Sequence, residues 1–203
     1  MLKKLTAAAR RALLALPDLG IPGLLSLIAL AVLSLLGAGC AVAPGRVVTP
    51  AGVPLPRPEL TPGAINPGVN QANIHRTICV PGYSGSIRPP KTVTDRLKAV
   101  VMWAYGIAGS RSAYEGDHLI PLSLGGDPAG TGSRANFWPE PWHAIVHGRD
   151  VGATAKDGLE LYLHQRVCDG RLSLAVAQRE IAINWYAAWV RAGRPTAASA
   201  GGR

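Results

Sequence analysis

The sequence predicts a small α+β domain behind an apolar N-terminal segment, and three observations carry that prediction. Two short strand-like runs, 118–124 and 136–140, are separated by a Gly125-Gly126 turn and a polar loop. Three stretches with apolar residues at helical spacing surround them, over 92–105, 155–167 and 174–189. Of the 203 residues, 71–193 have the length and composition of one ordinary domain. The resulting order is helix, two strands, helix, helix.

The segment before the domain reads as targeting and tether. Residues 1–20 carry Lys3, Lys4, Arg10 and Arg11 against the single acid Asp18, and 24–43 is apolar or small without a charge. That length spans a bilayer as a helix, and the flanking positive charge predicts a cytoplasmic N-terminus. Three outcomes stay open for 1–43. They are an uncleaved signal anchor, a lipoprotein signal ending Leu35-Leu36-Gly37-Ala38-Gly39-Cys40, or a signal peptide cut after Ala41-Val42-Ala43. Each puts the rest of the chain outside the cytoplasm, in the cell envelope, with the membrane as a partner of the N-terminal segment. Residues 44–70 are rich in proline, seven of them within 44–67, and are expected to form a semi-extended linker. The Ala/Gly/Ser-rich tail 194–203 is expected to be disordered.

Within the domain, 74–83 ends in Pro-Gly-Tyr and reads as irregular or as a short strand. Thr92, with Asp95 three residues on, is placed to cap a helix bearing Val93, Leu97, Val100, Val101, Ala104 and Tyr105, which stops near Gly106. Pro121 interrupts the run 118–124 and suits an edge or a bulge. The helix over 155–167 has an apolar side of Leu159, Tyr162, Leu163 and Val167. Asp157, Glu160 and His164 lie on an adjacent polar side. Gly170 is a plausible stop, and Ser173 caps a last helix with the stripe Leu174, Ala177, Ile181, Trp185 and Trp189.

The formal charge of +9, of which residues 1–20 hold +3, suits a polyanionic partner such as nucleic acid, anionic lipid or acidic polysaccharide. No CxxC occurs, which argues against a structural zinc ribbon. In an exported domain Cys79 and Cys168 are natural disulfide partners, the alternative being two separate buried thiols. His143 and His147, four apart, read as solvated loop residues or as a clasp for a metal on a helix. Trp138 and Trp142 are candidates to stack on bases, whereas Trp185 and Trp189 suit core packing.

The pair Asp117-His118 carries the chemistry. A carboxylate can hold a hard cation, and an imidazole that is largely neutral near pH 7 can take a proton from water. The run Asp117-His118-x-x-Pro121-Leu122-x-x-Gly125-Gly126, followed by Asn136 at the start of the second strand, resembles the HNH, or His-Me finger, endonucleases. With Lys156-Asp157-x-x-Glu160 and Val167-Cys168-x-Gly170, the chain also looks like small exported bacterial proteins bearing that element. The resemblance implies two antiparallel strands and a helix around one divalent metal, Mg²⁺ or Mn²⁺ or else Zn²⁺, with nucleic acid as substrate and no nucleotide cofactor. His118 would be the general base and Asp117 a metal ligand. Asn136 would be a second ligand or would orient the His118 loop. Where many relatives have a metal-binding histidine on the helix, this chain has Ile145, so that Glu160, His164 or water would complete the site. Lys156 would contact phosphate. The function implied is phosphodiester hydrolysis of DNA or RNA with little sequence preference. The alternative is a catalytically inactive envelope protein of the same fold that binds a polyanion or a partner protein.

Overall fold

Two antiparallel strands, β1 (Tyr114–His118) and β2 (Phe137–Pro141), form a hairpin with Glu115 opposite Glu140, Asp117 opposite Trp138 and His118 opposite Phe137. A computed structural model describes residues 52–128 and 135–201 of the chain. The expected anchor over 1–43, Cys40 included, lies outside them. Among the described residues no helix is long and apolar enough to cross a membrane. The described part mixes helices with two small two-stranded sheets, an α+β architecture.

Helix α1 (Tyr83–Ile87) is short, and α2 (Lys91–Ala104) packs on one face of the hairpin. Thr92 does not cap α2. The helix begins two residues earlier, after Pro90, whose extended backbone sets the start without a side-chain bond. It stops as expected at Gly106, where a positive φ of 68° lets the Ile107 amide bond back to the Met102 carbonyl. Leu97 and Val101 meet Phe137 below the hairpin, whereas Val93 and Val100 face outward. Residues 71–76 form a 3₁₀ helix with Asn70 as its cap, and 77–82 are irregular, so that of the two readings of 74–83 the short strand is not formed.

The strand expected over 118–124 lies earlier in the chain. After His118 the backbone leaves the sheet, and 122–124 make a 3₁₀ turn ending at Gly125, φ 72°. A Cβ at Gly126 would overlap the Ile120 carbonyl oxygen, so only glycine permits the chain to close back there. A second hairpin, β3 (Ile145–Val146) with β4 (Arg149–Asp150), turns at His147 and Gly148, both with positive φ. It carries His143 and His147, which are therefore not on a helix.

Helix α3 (Ala153–Cys168) follows, then α4 (Leu174–Arg191), capped by Ser173 through its bond from the Val176 amide. Leu174, Ala177, Ile181, Trp185 and Trp189 are all buried, as the stripe requires. Asn184 leaves helical geometry at a kink in α4, and its side chain accepts from the Ala187 amide to restart the helix. Last comes α5 (Ala197–Gly201), packed on α3.

Two expectations about the flanks are corrected. The described residues of the proline-rich stretch belong to the domain, with Val53, Thr61 and Val69 buried. Trp185 Nε1 donates to the Pro54 carbonyl at 3.0 Å, and Arg57 donates through its amide to Tyr105 OH at 3.1 Å. Proline cannot pair into a sheet, but its carbonyl still accepts, so side-chain donors anchor it. The tail is held in the same way. Trp189 Nε1 donates to the Pro195 carbonyl at 2.9 Å, and a Cβ at Gly158 on α3 would collide with that oxygen.

The Cys79–Cys168 disulfide is formed, with Cα atoms 5.6 Å apart. It ties the segment before α1 to the end of α3 across 89 residues, a closure worth roughly 4–5 kcal/mol in the chain-entropy picture.

Candidate functional site

Alternation along β1 and β2 sorts their side chains onto two faces. Glu115 and Asp117 of β1 share a face with Trp138 and Glu140 of β2, and α3 covers it with Lys156 and Glu160. The other face has Gly116, His118 and Phe137 against α2, where a Cβ at Gly116 would come within 2.7 Å of the Phe137 ring.

On the α3 side one ammonium group stands among five carboxylates. Lys156, 1 % exposed, lies 2.7 Å from Asp117 Oδ2, pairs with Glu160 Oε1 and donates to the His118 carbonyl at 3.0 Å. Trp138 Nε1 also donates to Asp117 Oδ2, at 2.9 Å. Glu140 is buried and shares a hydrogen bond with Asp117, while its Oε1 has no partner among the described residues. One lysine cannot balance this many acids. Burial works against the Lys156 charge, but attraction to Asp117, Glu160 and Glu140 outweighs it and raises the pKa above the ordinary lysine value. Burial, then repulsion from Asp117, raises Glu140 well above the carboxylate range. Burial pushes Glu160 up to about 8, against the pull of Lys156. Burial and the nearby Asp117 and Asp157 charges push Glu115 up to about 7, and burial with Asp117 also raises Asp157.

His118 occupies the opposite face. Its ring meets Phe137 edge-on at a centroid distance of 5.1 Å. Nε2 is buried without a hydrogen-bond partner among the described residues, and the ring bonds to the Pro128 carbonyl. The nitrogen bonded to that carbonyl carries the proton, which leaves a lone pair on Nε2. Burial, opposed by Asp117, holds the pKa below the usual histidine value, so the ring is neutral at pH 7.

Asn136 is fully committed to the backbone. Its Oδ1 accepts from the Ile120 amide at 2.9 Å, and its Nδ2 donates to the carbonyls of Ile120 at 2.9 Å and Asp127 at 3.1 Å. Of its two expected roles, the geometry fits the one that orients the loop after His118. Neighbouring residues have thus gone different ways: Asp117 and Glu160 meet around Lys156, His118 lies across the strand, and Asn136 binds the loop. Lys156 is too deeply buried to meet a phosphate directly.

His164 is remote from Asp117 in its bonding. Its Nε2 lies 2.9 Å from the Ile78 carbonyl and 3.4 Å from Cys168 Sγ. With Cys79 these residues are the one group of three histidine, cysteine or acidic ligands within 4.8 Å of one another among the described residues. His143 bonds to Asp150 at 2.5 Å on the small hairpin.

The oxygen donors on the α3 side match a hard divalent ion in kind, and the unpartnered Glu140 Oε1 offers it an acceptor. They do not close to the spacing of one shared ion while Lys156 stands between them, so an ion there would be bound through one or two carboxylates and water, as Mg²⁺ commonly is. Glu140 and Glu115 escape a search for catalytic pairs in sequence. Their signal is register: each lies two residues from Trp138 or Asp117, on the same face of its strand. Comparison of the chain with protein-family models, with curated proteins and with solved structures finds no match.

Proposed function

We propose that this protein is a cation-assisted phosphodiester hydrolase acting on nucleic acid outside the cytoplasm, held at the membrane by its N-terminal segment. The observation that carries the reading is the surplus of acid around Lys156, beside a neutral histidine with a free ring nitrogen. Carboxylates perturbed by burial and by one another, gathered in one place, are a feature of functional sites. The hairpin followed by α3 is also the order of elements that the resemblance to His-Me finger endonucleases implies.

One or two of Asp117, Glu140 and Glu160, together with water, would hold the ion, which when bound would stabilise negative charge on the phosphoryl and leaving oxygens. His118 Nε2 takes the proton of the attacking water, and its other nitrogen is fixed on Pro128 so that the lone pair stays available. Asn136 holds the loop that carries this geometry. Asp117 and His118 leave β1 on opposite faces and His118 Nε2 is buried, so a phosphodiester would approach both only at the end of the strand. Lys156 holds the Asp117 carboxylate in position.

A second reading rests on the same lysine. With its ammonium already between Asp117 and Glu160, the cluster can serve as a built-in counterion, and the protein then binds a polyanion or a partner without turnover. Plasmid nicking by the purified chain with Mg²⁺ or Mn²⁺ separates the two. The hydrolase reading expects cleavage that chelation abolishes, and that His118→Ala and Asp117→Asn each reduce on the order of a hundredfold or more. Salt-sensitive DNA binding with no cleavage by folded wild type selects the second reading.

A further inference from the structure

At the far end of α3, a turn beyond Glu160, stand three potential metal ligands that the proposed chemistry does not use. His164 and Cys168 are four apart on the helix and so share one face, and Cys79 reaches them from the segment before α1. Tetrahedral zinc, with Zn–S of about 2.3 Å and Zn–N of about 2.0–2.1 Å, sets sulfur and nitrogen ~3.5 Å apart and two sulfurs ~3.8 Å apart. His164 Nε2 is already 3.4 Å from Cys168 Sγ, and the two cysteine Cα atoms are 5.6 Å apart. A cavity of about 220 Å³, lined by Cys79, Tyr83, Gly85 and His164 among others, opens beside them and has room for a water as fourth ligand. All three side chains are half-buried, so they are shielded but reachable.

We propose that Cys79, His164 and Cys168 form a redox-gated site for a soft divalent cation, closed as a disulfide under oxidising conditions and binding Zn²⁺ when reduced. The disulfide sulfurs carry no thiolate charge, so the two states exclude each other. Reduction by a phosphine consumes one water, converts the disulfide to two thiols and leaves a phosphine oxide. Binding of the ion then releases the two thiol protons. His164 gives up its Nε2 bond to the Ile78 carbonyl, carries its ring proton on Nδ1 instead and offers the Nε2 lone pair to the metal. The ion would link the same two segments that the disulfide links, so that reduction in the presence of metal leaves the fold tied.

The test uses the full chain carrying Cys40→Ser, so that only Cys79 and Cys168 supply thiols. After phosphine reduction, titration with Co²⁺ should give one equivalent bound, with thiolate-to-cobalt charge-transfer absorption that Zn²⁺ abolishes. The oxidised chain should give none. His164→Ala, which keeps the disulfide for folding, should weaken binding by at least about tenfold once reduced, the effect that loss of even an outer-shell partner can have. A reduced chain with unchanged circular dichroism and no cobalt absorption overturns the proposal, as does His164→Ala binding equal to the parent. Where reduction unfolds the chain, recovery of the fold on adding Zn²⁺ supports the site, and failure to recover it overturns the site. None of these outcomes depends on nuclease activity.

Discussion

The two faces of the β1–β2 hairpin are built from alternate residues of the same ten positions, yet they obey opposite rules. Toward α2, Gly116 makes room for Phe137, which meets Leu97, Val101 and the edge of His118 in a closely packed, largely apolar layer. Toward α3, the same strands set half-buried Asp117 and buried Glu140 against Lys156 and Glu160. The first face is stabilised by area and shape, with little dependence on pH. The second is held by charge compensation that is incomplete, and it is therefore sensitive to protons and cations. A fold that needed only stability would not keep five acids around one lysine, because a buried ion pair seldom outperforms an apolar replacement.

The largest expected effect sets the two faces against each other. Lys156→Met leaves Asp117 and Glu160, its two ion-pair partners, without their countercharge and should cost about 3–5 kcal/mol at pH 8. Phe137→Ala, on the other face, should cost about the same through the cavity it leaves. Urea unfolding at pH 5 and pH 8 distinguishes them: the lysine variant should recover much of its loss at pH 5, as the acids take up protons, and the phenylalanine variant should not. Equal losses at both pH values for both variants would erase the contrast.

Next in size, Asn136→Ala strands the Ile120 amide and carbonyl and should cost about 2–3 kcal/mol. A positioning role predicts more than lost stability. Nicking should fall in kcat at a temperature where the variant is fully folded, while Asn136→Asp, which keeps the acceptor for the Ile120 amide, should lose less.

Smaller again is the dependence of wild-type stability on pH. Glu115, at about 7, and Glu160, at about 8, have folded pKa values above their unfolded ones. The folded state thus binds more protons across that interval. The contribution is full below about 4.3, the ordinary glutamate value, and declines as pH rises through the folded values. Thermal melts should therefore fall from about pH 5 to about pH 8, and millimolar Mg²⁺ should flatten the slope by replacing those protons. A melt that rises over this range would break the electrostatic account. Smallest of all, Glu140→Gln should change stability at pH 8 by less than about 1 kcal/mol in either direction, because burial and repulsion from Asp117 favour the uncharged carboxyl that the amide replaces. A large loss there would assign Glu140 an ionised structural role.

Much of the scaffold was legible because local chemistry enforces it. The α4 stripe, its Ser173 cap and the Gly106 stop each depend on a few neighbouring residues. The site was only half legible. Asp117 and His118 are adjacent in sequence, and adjacency suggested convergence; in a strand it means opposite faces. Glu140 gave no motif, since it joins the cluster only through register with Glu115. Lys156 reads in sequence as a phosphate contact because nothing in a helical pattern distinguishes a lysine open to substrate from one enclosed by acids on another element.

The sequence by itself determined the α+β order of elements, the helix on which Lys156 and Glu160 share a side, and the cysteine pair that could be joined. Tertiary structure alone decided that the proline-rich stretch and the tail pack onto the domain, that Asn136 serves the backbone, and that His164 belongs with the cysteines. The reason is range: caps, turns and periodicity act within a few residues, whereas burial, charge balance and hydrogen-bond satisfaction depend on partners brought together from 16 to 131 positions apart.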